Sequence, residues 1–144
     1  MFKKVAVGGT FDRLHKGHEA LLRRAFELGG VVVVGITSDE ILKKKADPLP
    51  IRLKELKDFL SGMDYELVIL KDPYGPAITD SRIDAIVVTE DTETRAREIN
   101  RVRCERNMKP LEIIVVDKVL AQDGKPISST RIRRGEIDRN GTLL

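Results

Sequence analysis

The segment Val31-Val32-Val33-Val34-Gly35-Ile36 is a nearly unbroken β-branched run. A half-exposed strand alternates apolar and polar residues, so a run without alternation predicts a strand buried on both faces, as in a parallel sheet covered by helices. The rest of the chain agrees with that requirement. Val5-Ala6-Val7 is a short apolar strand ending in Gly8-Gly9-Thr10, and from Gly17 to Leu28 the residues Ala20, Leu21, Leu22, Ala25 and Leu28 recur at helical spacing. Ser38 or Asp39 is expected to cap a short helix. Pro48 and Pro50 break the chain, after which Leu53, Leu56, Phe59 and Leu60 mark an amphipathic helix ending near Gly62. Tyr65 to Leu70 is a third strand, Asp72-Pro73-Tyr74-Gly75-Pro76 is loop chemistry, and Ala85-Ile86-Val87-Val88 is a fourth buried strand. Thr92 caps a charged helix reaching Met108, Leu111 to Val116 supplies a fifth strand, and a last short helix begins at Ser128. This alternation predicts an α/β fold: one domain over residues 1–144, a five-stranded parallel sheet with helices on both faces, and a short tail over 135–144.

Composition removes several function classes. Cys104 stands alone, which excludes an internal disulfide and, with no cysteine or histidine cluster beside it, a structural zinc site. No apolar run approaches the roughly 20 residues of a membrane span, and Met1-Phe2-Lys3-Lys4-Val5 leads straight into a strand without the pattern of a signal peptide. A cytoplasmic protein with no membrane partner is expected. The net charge is +3, but acidic residues are interspersed with basic ones and there is no Trp. A small anionic ligand suits that balance better than a nucleic-acid track, which needs a continuous basic face and stacking aromatics.

In parallel sheets ligands bind at the carboxyl ends of the strands, so the loops after the first, fourth and fifth strands are the places for chemistry. The first of these, Gly8-Gly9-Thr10-Phe11-Asp12-Arg13-Leu14-His15-Lys16-Gly17-His18, holds both histidines of the protein. Glycines let backbone approach a phosphate, and a helix starting near Gly17 is expected to aim free N–H groups and its positive dipole end at the same space. A side chain at Gly17 would stand in the way. His15 and His18 flank it and can reach one phosphate together. Their spacing is not the i, i+4 of a helical metal pair and Glu19 is not placed as in a metalloprotease, so no protein metal site is predicted. Neither a P-loop nor a Gly-x-Gly-x-x-Gly pattern is present.

A second anion site is predicted at Pro126-Ile127-Ser128-Ser129-Thr130-Arg131-Ile132-Arg133-Arg134. Hydroxyls open the helix and three arginines follow in its first turns, where cations oppose the helix dipole. That arrangement is expected to be balanced by a bound anion.

Taken together, Gly-Gly-Thr-Phe-Asp with His-x-Gly-His and the later Ile-Ser-Ser-Thr-x-Ile-Arg resemble the paired motifs of the HxGH nucleotidyltransferases. The wording from Asp123 to Asp138, with Asp72-Pro73-Tyr74-Gly75-Pro76 and Val88-Thr89-Glu90-Asp91-Thr92, is most similar to the archaeal-type phosphopantetheine adenylyltransferases, over essentially the whole chain. One departure is Thr89-Glu90-Asp91-Thr92, where that family often has Ser-x-Glu-Thr. The resemblance implies a Rossmann-like domain that joins AMP from ATP to 4′-phosphopantetheine. It implies catalytic roles for Thr10, which contacts both phosphates, for His18 at the α-phosphorus, and for His15. It implies ATP contacts from Gly8, Gly9, Phe11, Gly17, Glu90, Ser128, Ser129, Thr130 and Arg133. One of Lys43, Lys44 and Lys45, or Arg52, is expected on the acceptor phosphate, and the resemblance assigns no role to Arg95 or Arg97. Mg²⁺ held mainly by ATP phosphates is the implied cofactor, and a monomer is favoured over a homo-oligomer. Other acceptors within the superfamily (FMN, nicotinamide mononucleotide, glycerol phosphate) and an ATP-sensing module without turnover stay open.

Overall fold

The computed structural model describes all residues from Met1 to Leu144. Five strands, β1 (Phe2–Gly9), β2 (Gly29–Thr37), β3 (Tyr65–Leu70), β4 (Ala85–Val88) and β5 (Glu112–Val115), form one sheet in the order β3-β2-β1-β4-β5. Every pairing is parallel. Four α-helices connect them or follow: α1 (Lys16–Leu28), α2 (Leu49–Leu60), α3 (Glu93–Glu105) and α4 (Ser129–Arg133).

The strand residues sort by parity, because successive side chains point to opposite faces. Val5, Val7, Val32, Val34, Ile36, Ala85 and Val87 join Leu22 and Ala25 of α1 and Leu56 and Leu60 of α2 in one core. Ala6, Val33, Ile86 and Val88 join Ala96 and Ile99 of α3 in the other. The unalternating valine run thus feeds two cores, as its sequence predicted. From β1 the chain winds outward through β2 to β3, then returns to place β4 on the other side of β1. The carboxyl ends of β1 and β4 therefore flank the point where winding reverses, where such sheets open a crevice.

Element limits differ locally from expectation. Pro48 and Pro50 do not break the chain ahead of α2 but start it, as N-cap and within the first turn, where a missing N–H costs nothing. The helix from Glu93 stops at Glu105 rather than Met108, closed by Asn107 in the left-handed region (φ 59) and by the Met108 amide on the Arg103 carbonyl. Thr92 places no side-chain cap on that helix; its hydroxyl bonds the Thr89 backbone instead. The short helix after β2 is a single 3-10 turn, Asp39–Ile41, with Ser38 at its N-cap position but no side-chain hydrogen bond to it, and the Asp39 carboxylate instead accepts the Leu49 amide at the start of α2. The stretch 135–144 is no loose tail. Ile137 is fully buried with Ala121 and Ile127 in a third small core, and Gln122 donates its amide to the Gly141 carbonyl.

Candidate active site

Beyond Gly9 the chain turns through Phe11 (φ 52) and Arg13 (φ 50), two non-glycine residues in the left-handed region. The turn drives the Phe11 ring into the core, where it is 1% exposed and meets the His18 ring edge-on at 5.4 Å. Phe11 therefore has only its backbone to offer a nucleotide.

His15 is the N-cap of α1. Its Nδ1 accepts the amides of Gly17 (3.0 Å) and His18 (3.3 Å), while His18 Nδ1 accepts the His15 amide (3.2 Å). The two imidazoles stack with centroids 3.6 Å apart. A β-carbon at Gly17 would lie 2.8 Å from His15 Cε1, so only glycine admits this packing. The Lys16 amide donates to the Arg139 carbonyl at 3.1 Å. All three leading amides of the helix are thus spent within the protein, and the expected array of free N–H groups is not there. What the turn offers is imidazole. With both Nδ1 atoms accepting, each neutral ring carries its proton on Nε2, and neither Nε2 donates to a protein group. Burial, then the Arg139 cation, lowers His15 to about 4 against an opposing pull from Asp12. Burial and then the His15 ring lower His18 to about 3, with Arg139 adding to the effect. Near neutral pH both rings are uncharged donors.

The second motif is tied to the first. Ser129 Oγ donates to the Asp12 carbonyl at 2.6 Å, and Arg133 grips the buried Asp12 carboxylate with Nε (2.8 Å) and Nη2 (3.2 Å). Arg133 Nη2 also reaches Asp47 at 2.8 Å, and the Asp47 amide donates back to Asp12 at 2.8 Å. Asp12 therefore joins three segments: the first loop, α4, and the lysine stretch preceding α2. Burial by itself would push its carboxyl up, but the Arg133 and Asp47 hydrogen bonds and the Arg133 and Arg13 charges together hold it below the usual range. Asp12 and Asp47 escaped sequence reading because an acidic residue between phosphate-binding segments announces no partner until the segments meet.

The last two of these segments line an open cleft of about 340 Å³ with Lys44, Lys45, Thr130, Arg133 and Arg134, and no residue of the first loop is on its wall. Two lysines are thereby singled out, and Lys43 is not among the lining residues. Ser128 and Ser129 are occupied, the first accepting the Arg131 amide and the second on Asp12; the Thr130 hydroxyl has no protein partner. Each α4 arginine has an acidic partner within the protein, Arg134 only a long and exposed one at 3.9 Å. Arg131 pairs with Asp123 and Glu136, Arg133 with Asp12 and Asp47, and Arg134 with Glu136.

Arg52 is not a free acceptor-binding cation. It is fully buried, and its guanidinium donates to the carbonyls of Asp47 (2.7 Å), Thr10 (2.9 Å) and Thr37 (2.8 Å) and to Asp39 (2.8 Å). Its role is to hold the loops beyond β1 and β2. Thr10 and the exposed Gly8 lie at the crevice mouth, with no protein partner on the Thr10 hydroxyl. Glu90 is on the surface and shares Lys118 with Asp91. Arg95 and Arg97 pair along α3 with Glu98 and Glu93.

Residues 6–135 match the cytidylyltransferase-like family. A phosphopantetheine adenylyltransferase of Methanothermobacter thermautotrophicus is 50% identical over 99% of this chain and 90% of its own length. One from Methanosarcina mazei is 46% identical over 97% of this chain and 96% of its own. Among solved structures, a protein of unknown function from Archaeoglobus fulgidus superposes with a TM-score of 0.72 at 34% identity, covering 79% of this chain and 89% of that one. The paired motifs, the parallel sheet that carries them and these relatives agree: the chain belongs to the phosphopantetheine adenylyltransferases of the cytidylyltransferase-like family.

Proposed function

We propose that the chain transfers the adenylyl group of ATP to the phosphate of 4′-phosphopantetheine, forming dephospho-coenzyme A and releasing pyrophosphate. The observation that carries this reading is the joining of the two motifs through Asp12, which holds the histidine turn next to the α4 segment that lines the basic cleft. The acceptor phosphate is already an anion, so an oxygen of it attacks the α-phosphorus in line, that P–O bond forms, and the bond to the β-phosphate oxygen breaks. No side chain has to remove a proton. Catalysis is then a matter of position and charge.

In this reading His18 and His15 donate their Nε2–H groups to the non-bridging oxygens of the transferred phosphoryl, and Thr10 spans donor and acceptor phosphates. Thr130, Arg134 and Arg133 hold the leaving pyrophosphate, while Lys44 and Lys45 attract the acceptor. Neutral imidazoles suit the task, since as donors they strengthen with developing charge without binding an anion irreversibly in the ground state. Mg²⁺ would reach the site on the triphosphate and supply charge neutralisation there. Asp12 and Asp47 are committed to arginine, and in this reading phosphate oxygens and water would hold the ion. No helix is long and apolar enough to cross a membrane. Mass spectrometry of the reaction mixture tests the proposal: dephospho-coenzyme A and pyrophosphate appear in equal amounts. Pyrophosphate accompanied only by AMP contradicts it.

A further inference from the structure

The mechanism leaves one buried arrangement unused, the packing of residues 136–144 against both halves of the site. Ile137 is fully buried against Ile127, the residue that precedes the Ser128 cap. Gly141, in the left-handed region (φ 84), lies so near that a β-carbon there would sit 2.8 Å from Ile127 Cδ1. The intervening chain is itself tightly turned: Asp138 accepts the amides of Asn140 and Thr142 at 2.9 Å each. That turn presents Arg139. Its carbonyl takes the leading amide of α1 from Lys16 (3.1 Å), and its guanidinium meets Glu55 of α2 at 3.0 Å.

We propose that Arg139 is a further positioning residue for adenylyl transfer: its carbonyl fixes the entrance turn of α1, and its guanidinium, braced by Glu55, keeps positive charge beside the stacked imidazoles where phosphate charge gathers. The inference rests on the proposed reaction for its catalytic consequence, but not for its geometry. Glu55 spends one oxygen on Arg139 while its other is buried without a partner, so the brace is specific to this ion pair. The Arg139 charge is felt at both rings, lowering the titration of each. Other charged groups face the pair as well. Asp12, from the first loop, pulls the opposite way; Lys16 and Glu19 lie on α1 itself; and Arg133 of α4 and Glu55 of α2 are engaged with Asp12 and Arg139.

Because His15 and His18 are the only histidines in the chain, their NMR titrations can be followed without interference. The experiment compares the full-length protein with Arg139→Met, which keeps an aliphatic stem, and Arg139→Lys, which keeps the charge. Arg139→Met is expected to lower kcat/KM about tenfold. In the same variant both histidine midpoints rise from about 4 and about 3. Arg139→Lys restores most of both readouts. Wild-type kcat/KM together with unmoved midpoints in Arg139→Met overturns the proposal. So does a loss shared equally by the Met and Lys variants with the midpoints unmoved, which marks a purely structural contact. Absence of turnover in the wild-type protein would overturn the proposed reaction instead, and the midpoints would still judge the placement of the charge.

Discussion

At the scale of single residues, the site depends on donors that stay uncharged. Replacing His18 by Ala removes the Nδ1 acceptor of the His15 amide and, in the proposed reaction, one Nε2–H donor to the transferred phosphoryl. Loss of one preorganised donor of this kind costs about 100- to 1,000-fold in kcat. Steady-state assay of His18→Ala is expected to fall in that range while ATP binding persists, and a loss below tenfold would remove His18 from the chemistry. Asp12→Asn keeps the carbonyl that receives Ser129 but loses the charge that Arg133 grips. Weaker ATP binding is therefore expected from calorimetry, by about tenfold, since truncating one partner of a buried hydrogen-bonded ion pair costs a few kcal/mol, part of which α4 recovers by relaxing. Unchanged affinity would contradict the linking role given to Asp12. The meeting of His15 and His18 around Gly17 at the start of α1 was legible in sequence, because His-x-Gly-His carries that geometry in local spacing. Asp12, Asp47 and Arg139 were not, because their partners lie 121, 86 and 84 positions away or more closely only across folded space.

At the scale of elements, α2 and α3 each insert one buried arginine among the backbone carbonyls of their neighbours. Arg52 of α2 gathers carbonyls at the carboxyl end of the sheet, and Arg103 of α3 gathers those of Ala77, Asp80, Ile83 and Lys109. In sequence both look like surface charges on an amphipathic helix, free to meet a ligand, and only packing shows them buried. Arg52→Met leaves the Thr10, Thr37 and Asp47 carbonyls and Asp39 without that donor, and urea unfolding is expected to show a loss of about 3 kcal/mol. A change within 0.5 kcal/mol, the range of ordinary surface substitutions, would contradict the scaffold role. The strands were legible for the opposite reason. A valine run records burial on two faces without reference to any distant partner, whereas the limits of α2 and α3 turn on caps and on backbone in the left-handed region, which side-chain pattern does not encode.

At the scale of the whole molecule, the two histidines couple the site to folding. Their folded-state titrations, about 4 and about 3, lie below the ordinary 6.5, so between those values the unfolded chain binds more protons than the folded one. The stabilisation from keeping the pair neutral is present in full above about pH 6.5 and is lost as the pH falls towards the folded values. Each ring contributes a slope of up to about 1.4 kcal/mol per pH unit. Chemical denaturation from pH 7 to pH 4.5 should show falling stability, and a His15→Gln, His18→Gln double variant should flatten the curve; equal slopes in the two proteins would contradict the assignment. Sedimentation is expected to give a single species of 16.2 kDa, the mass of one chain.

The most direct test of the central claim is the rate of pyrophosphate release from ATP and Mg²⁺ with 4′-phosphopantetheine, FMN, nicotinamide mononucleotide or glycerol 3-phosphate offered separately. The account predicts release with 4′-phosphopantetheine alone, abolished or reduced to a trace by His18→Ala. Release with a different acceptor, or none with any acceptor despite measurable ATP binding, would contradict it.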